Sequence, residues 1–486
     1  MKKLAYFIFV PFLGSLFLLN SCEEDKTFVA PSVISPSETS VVIEESVEIA
    51  FSYTTAGGFK SSSVYATNGT AAVSSDGTAN STSGTITITF TAGVNTGAGS
   101  VTLTVTDNGN QSYQATAVLT IAKEIAVSAN ITANTTWKKG KIYVLKNRVS
   151  VLPDVTLTIE PGVIIKGEAG TGANATALLI ARGAKIMAEG TAGSPIIFTS
   201  VADEIQPGQV SSPNLDPTLN GLWGGLIVLG NAPISVKTGE TAQIEGIPAS
   251  DQNGLYGGTN AADNSGVIRY VSVRHGGANI GEGNEINGLT LGGVGSGTTI
   301  ENIEIVANQD DGIEWFGGTV SVKNALVWNT EDDAIDADQS WIGMLDNFIV
   351  INPGDKCFEL DGPEGAAAVK NYMIKNGSVQ AKDAVGLVDN DAKNNSTDSN
   401  ADMENVYFFD IKPGQTFDEI PKFYTCVFKN FQVTLPEGTT IPDFFKDGSD
   451  AFTTAVTLKS NAVGADKTKF ATWSWAAASG VLVPFK

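Results

Sequence analysis

Ile300-Glu301-Asn302-Ile303, Val322-Lys323-Asn324-Ala325, Leu345-Asp346-Asn347-Phe348 and Val369-Lys370-Asn371-Tyr372 align without gaps, and their asparagines stand 22, 23 and 24 residues apart. A near-constant period of this length, with apolar residues around one polar position, marks a chain that winds in repeated coils. Equivalent positions of a parallel β-helix lie one strand spacing apart, about 4.8 Å. Asn302, Asn324, Asn347 and Asn371 are therefore expected to stack, each amide bonding to the next as asparagine ladders do. Val267-Ile268-Arg269-Tyr270-Val271-Ser272-Val273 fits the same template one coil earlier, with Tyr270 in the asparagine place. Glu404-Asn405-Val406-Tyr407-Phe408 fits a later coil, after an insertion rich in Asp, Asn and Ser.

Working toward the N-terminus, short β-branched runs alternate with turns. Val155-Thr156-Leu157-Thr158-Ile159, Val163-Ile164-Ile165-Lys166 and Ile196-Ile197-Phe198 are separated by signals such as Glu160-Pro161-Gly162 and Glu189-Gly190. Successive short strands without intervening helices extend the solenoid back to about residue 124. Its apolar ends need covers. Trp137 is expected to begin one, and Trp473-Ser474-Trp475-Ala476 to finish a C-terminal cap.

Residues 39–123 read differently. Val47-Glu48-Ile49-Ala50-Phe51, Thr85-Ile86-Thr87-Ile88-Thr89-Phe90 and Val101-Thr102-Leu103-Thr104-Val105 alternate apolar and polar side chains, and Asp107-Asn108-Gly109-Asn110 is a hairpin turn signal. These features predict a small Ig-like β-sandwich with no catalytic constellation. The fold class is thus all-β: an N-terminal Ig-like sandwich followed by a right-handed parallel β-helix over 124–486.

Lys2 and Lys3 precede an apolar run that ends in Leu19-Asn20-Ser21-Cys22. This is the anatomy of a lipoprotein signal peptide over 1–21, with Cys22 as the acylated residue and 22–38 as a tether. The run is interrupted by Pro11 and Gly14 and is short for a bilayer span. Lipid on Cys22 would hold the chain in a bilayer, since each buried methylene contributes about 0.8 kcal/mol. Glu23-Glu24-Asp25 resembles the acidic export signal of Bacteroidota-type surface lipoproteins, which implies an outer-membrane, outward-facing location.

The formal charge of -22, from 52 acidic and 30 basic residues, excludes a nucleic-acid partner held by charge. The single histidine, His275, excludes a multi-histidine zinc site and reads as a turn-edge residue beside Gly276-Gly277. Beyond Cys22, only Cys357 and Cys426 remain. A disulfide and two free thiols are both open on the sequence.

The coils also carry acidic clusters: Asp310-Asp311-Gly312-Ile313-Glu314, Asp332-Asp333-Ala334-Ile335-Asp336 and Asp355-Lys356-Cys357-Phe358-Glu359-Leu360-Asp361. Aligning Ile313, Ile335 and Phe358 puts Asp310, Asp332 and Asp355 in one column and Glu314, Asp336 and Glu359 in another. Like charges at one strand spacing raise each other's pKa or demand a cation. Calcium suits such a site, because it takes six to eight oxygen ligands and needs no histidine. Asp310, Asp311, Glu314, Asp332, Asp333, Asp336, Asp355, Glu359 and Asp361 are the candidate ligands, with turn capping as the simpler reading. Paired carboxylates also serve inverting glycoside hydrolysis, but no accompanying sugar-positioning arginine is recognisable. Trp315, Trp328 and Trp341 recur beside these clusters and are candidate stacking surfaces for a sugar or peptide.

Trp223-Gly224-Gly225-Leu226-Ile227-Val228-Leu229-Gly230-Asn231-Ala232-Pro233, Asn284-Glu285-Ile286-Asn287-Gly288-Leu289-Thr290-Leu291-Gly292-Gly293-Val294-Gly295 and Asp310 to Gly318 resemble, in order, three signatures of a family of β-helix surface lipoproteins. The resemblance spans roughly 125–486. It implies an accessory role beside SusC/SusD-type outer-membrane importers and carries no settled activity. The expected function is a non-catalytic surface binding or accessory protein for a glycan or peptide. A carbohydrate-active lyase or hydrolase and an adhesive spacer are the alternatives.

Overall fold

The computed structural model describes residues 29–279, 286–339, 341–365 and 370–486. The proposed signal peptide, Cys22 and the first part of the tether lie outside them. The chain divides into two compact units at Lys123 and Glu124.

The first unit is a sandwich of two four-stranded sheets. Strict alternation in Ser46–Thr54, Ser83–Ala92 and Gly97–Asp107 turns every second side chain inward, as the period of two in a strand requires. Phe51, Ile88, Phe90, Leu103 and Leu119 are fully or almost fully buried between the sheets. The expected tether boundary needs correction: Ser32–Ile34 is an edge strand paired antiparallel with Ser52–Thr54. Folded structure therefore begins inside the segment assigned to the linker.

The second unit is a right-handed parallel β-helix. In the early coils three separate strands make one winding, for example Lys185–Glu189, Ile196–Ser200 and Leu226–Leu229. From Gly266–Arg274 onward the first two strands fuse. The lower half of Gly266–Arg274 pairs with Lys185–Glu189 and its upper half with Ile196–Ser200. The bend between the halves is one residue in the left-handed region, Tyr270 at φ 51°.

Later coils put asparagine at that bend, because its short polar side chain tolerates positive φ better than other non-glycine residues. Asn302, Asn324 and Asn347 take φ of 57°, 56° and 61°. Asn324 Nδ2 donates to Asn302 Oδ1 at 2.9 Å, and Asn347 Nδ2 to Asn324 Oδ1 at 2.7 Å. Asn371 is not a member. It precedes Tyr372–Gln380 and donates to Asp402 and to the Thr425 carbonyl. The column continues instead through Asn376, Asn405 and Asn430, all at positive φ. Asn405 and Asn430 each donate to the preceding member, whereas Asn376 turns its amide to Asp346. The excursion before Tyr372 is five residues longer than a gap-free alignment allows, which displaced the expected register.

Inside the coil, Ile268, Ile300, Val322, Leu345, Ile374 and Met403 stack as one inward file. The C-terminal end of the coil is closed by Phe417, Phe431, Phe444 and Phe445. The last segment does not finish that end. Phe470, Trp473, Trp475 and Phe485 lie over the outer face of the fused sheet, against Leu326, Trp328, Ile349 and Phe409. Glu304 anchors this strap: its carboxylate accepts the N–H groups of Trp475 at 3.1 Å and Ala476 at 2.9 Å. Arg274 lies 3.6 Å from Glu304, both side chains fully buried, with its guanidinium 4.9 Å from the Trp475 ring centre. Among the described residues no helix is long and apolar enough to cross a membrane.

Candidate metal centre and acidic face

The third sheet of the β-helix runs through Leu289–Gly292, Ile313–Phe316, Ile335–Asp338, Glu359–Leu360 and Asp389–Asn390. Its apolar residues Ile313, Trp315, Ile335 and Ala337 face the core. Alternation then turns Thr290, Glu314, Asp336, Glu359 and Asp389 outward as one file of register partners. The acidic face reaches further: Glu419 lines a cavity with Glu359 and Asp389, and its N–H donates to Asp447.

A second file stands at the turn before each strand. The Asp333 N–H donates to Asp311 Oδ1 at 2.9 Å, and the Lys356 N–H donates to Asp333 Oδ1. One oxygen of each aspartate thus caps the next coil. Asp311, Glu314 and Asp336 bring carboxylate oxygens within 4.8 Å of one another, as do Asp310, Asp311 and Asp332, and Asp332, Asp333 and Asp355.

Asp311, Glu314 and Asp336 are only 6–7 % exposed. At an effective dielectric near 20, two ionised carboxylates at this spacing repel by about 3–4 kcal/mol, so all three cannot stay ionised without a compensating cation. Burial first, and then neighbouring carboxylates, push all three well above the usual carboxylate range. The same causes raise Asp338 to about 7. Asp333 rises to about 9 through burial and a hydrogen bond with Glu359. Lys356 is turned to Asp355 at 2.8 Å.

Asn287, also buried, donates to Glu314 and leaves its own carbonyl oxygen without a hydrogen-bond partner. Carboxylate and amide oxygens alone form a hard donor set of the kind calcium takes. Asp361 lies two residues beyond Glu359 and lines an open pocket of about 410 Å³ with Glu359, Asp389, Asp391, Lys393 and Glu419. Burial and Glu359 raise Asp361 to about 6.

The tryptophans are a correction. Trp315 and Trp341 are fully buried and stack on each other at 4.4 Å inside the coil, with Trp341 Nε1 bonded to the Val320 carbonyl. Trp328 is buried under the C-terminal strap against Trp475. None offers a face to a ligand. His275 is buried at φ 59°, its Nδ1 bonded to the Leu219 carbonyl, and burial lowers its pKa. Cys357 and Cys426 are both free. Asp338, Asp389 and Glu419 were missed as members of the acidic face. The period of two from Asp336 pointed to Asp338, whereas uneven coil lengths hid the other two.

The sequence matches the family described as a pectate-lyase-like beta helix domain over residues 129–477. No curated protein matches it. Among solved structures, the family 28 exopolygalacturonase of Yersinia enterocolitica is similar at 12 % identity and a TM-score of 0.20. That match covers 86 % of this chain and 83 % of the other.

Proposed function

The chain belongs to the pectate-lyase-like β-helix family, and on that footing we propose that it is a lipid-anchored surface protein that binds glycan beside a divalent-cation site. One observation carries the cation: Asp311, Glu314 and Asp336, all buried, hold their oxygens within 4.8 Å of one another. Calcium fits this all-oxygen set, with the three carboxylates as ligands and Asn287 as a neighbouring amide. When bound, the ion lets the cluster ionise and so fixes the third sheet. The same spacing argues against inverting hydrolysis at this cluster, because an inverting pair stands about 6.5–9.5 Å apart with room for water and sugar.

Elemental analysis of the purified chain, and its melting temperature with calcium and with EDTA, test the cation. One bound ion and a lower melting temperature on chelation are expected; no ion and no change overturn the reading. Binding to a glycan array tests the ligand class. The lipid anchor at Cys22 and a SusC/SusD-type importer partner are part of the same proposal. Cys22→Ser is expected to release the chain from membranes, and the detergent-solubilised wild type to co-purify with the importer.

An enzyme reading is favoured by one feature, the open pocket in which Asp361 sits among Glu359, Asp389 and Glu419. A carboxyl group raised to about 6 by burial suits a general acid. New reducing ends or unsaturated products from a polysaccharide panel would establish it in place of the binding role.

A further inference from the structure

Burial of the three tryptophans leaves the β-helix with no stacking surface where the sequence placed one. Among its described residues, the one aromatic side chain left exposed is Phe423, at 54 %. It is held there firmly. Its N–H donates to Asp398 at 3.0 Å, the Lys422 N–H donates to the same oxygen, and Asp398 is itself fully buried. Phe423 packs edge-on against Tyr424 at 4.9 Å, and the Tyr424 hydroxyl donates to the Ser396 carbonyl at 2.9 Å. Leaving a phenylalanine in water forgoes stabilisation that burial would supply, so a ring exposed on a backbone fixed in this way invites a partner.

The loop that fixes this ring also builds the acidic pocket: Asp391 and Lys393 line the cavity, while Ser396 and Asp398 hold the aromatic pair. Asn390, beside the pocket, is the register partner of core-facing Leu360, so its side chain turns into the coil rather than toward the cavity. Its Nδ2 is already committed to the Asp418 carbonyl. The carboxylates that line the pocket call for hydroxyl donors, with which they form strong charge-assisted hydrogen bonds. The only lysine lining the pocket, Lys393, is paired with Asp391 at 2.6 Å. A ligand carrying its own carboxylates meets Glu359, Asp361, Asp389 and Glu419 with no free cation to receive it.

We propose that this pocket and the Phe423–Tyr424 pair form one subsite for an uncharged glycan, a pyranose ring stacking on Phe423 while hydroxyls of the chain reach the pocket carboxylates. The proposal rests on the glycan-binding reading above and narrows it to neutral chains, against uronic-acid polymers.

Isothermal titration of the full chain in detergent tests it, with cellohexaose, xylohexaose, mannohexaose and hexagalacturonate as probes, each in EDTA and in calcium. At least one neutral hexasaccharide is expected to bind in both buffers, and hexagalacturonate is expected not to bind in EDTA. Phe423→Ala is expected to weaken neutral binding about tenfold at an unchanged melting temperature, and Phe423→Tyr to preserve it. Equal affinity of wild type and Phe423→Ala overturns the platform while leaving glycan binding intact. Tighter binding of hexagalacturonate than of any neutral probe in EDTA overturns the ligand class. Failure of all four probes overturns both this subsite and the glycan reading, and leaves the cation to stand or fall by elemental analysis.

Discussion

Substitution at Asn324 separates the two contributions that keep the bend column in place. Its amide donates to Asn302 and accepts from Asn347, and its backbone sits at φ 56°. Alanine removes both hydrogen bonds, about 1 kcal/mol each, and adds about 1 kcal/mol for a left-handed residue without asparagine's tolerance. Glycine removes the same bonds but carries no such strain. The expected losses are about 3 kcal/mol for Asn324→Ala and about 2 kcal/mol for Asn324→Gly. With about 2.1 cal/mol/K of unfolding entropy per residue over roughly 360 residues, these correspond to drops of about 4 °C and 3 °C. Differential scanning calorimetry of the β-helix transition measures both. Equal drops for the two variants would remove the strain argument, and no drop in either would refute the load assigned to the ladder.

Three further outcomes follow from the same geometry. In EDTA, stability should fall as pH rises from about 4 to 9. Asp361, Asp338 and Asp333 are raised to about 6, 7 and 9, so their contribution is complete below the ordinary carboxylate pKa and is lost as each ionises; thermal melts across that range check it, and calcium should restore the neutral and alkaline values. Glu304→Ala leaves Arg274 buried without its counter-charge and frees two N–H groups of the strap, which should cost about 3–5 kcal/mol and expose residues beyond 456 to limited proteolysis. Trp341→Ala opens a cavity beside Trp315 and should destabilise by about 3–5 kcal/mol, while titration with any glycan that binds the wild type should give an unchanged affinity.

The bend column was legible because its backbone conformation restricts the residue type. Asn302, Asn324 and Asn347 had few substitutes, and their spacing gave the winding directly. The step to Asn376 was lost because both Lys370-Asn371 and Lys375-Asn376 follow an apolar residue, and only the packing of Ile374 inside the coil decides between them. Trp315 was recoverable in principle: with Glu314 turned outward, alternation sends its neighbour inward. Trp328 was not recoverable, since it lies on an outward position covered by a segment nearly 150 residues later in the chain. The carboxylate columns followed from a local alignment of three coils. Their extension to Asp389 and Glu419 crosses insertions that no constant period describes.

The strap has a consequence for biogenesis. It reaches from the last coil back past Ser378 and Asn347 to Glu304, so it can dock only after all of those coils have stacked. Until then Leu326, Trp328, Ile349 and Phe409 form an uncovered apolar stripe on the outside of the growing solenoid. A prematurely terminated chain keeps that stripe, and with it a target for chaperones and proteases. Docking of the strap is thereby the event that closes this face of the solenoid.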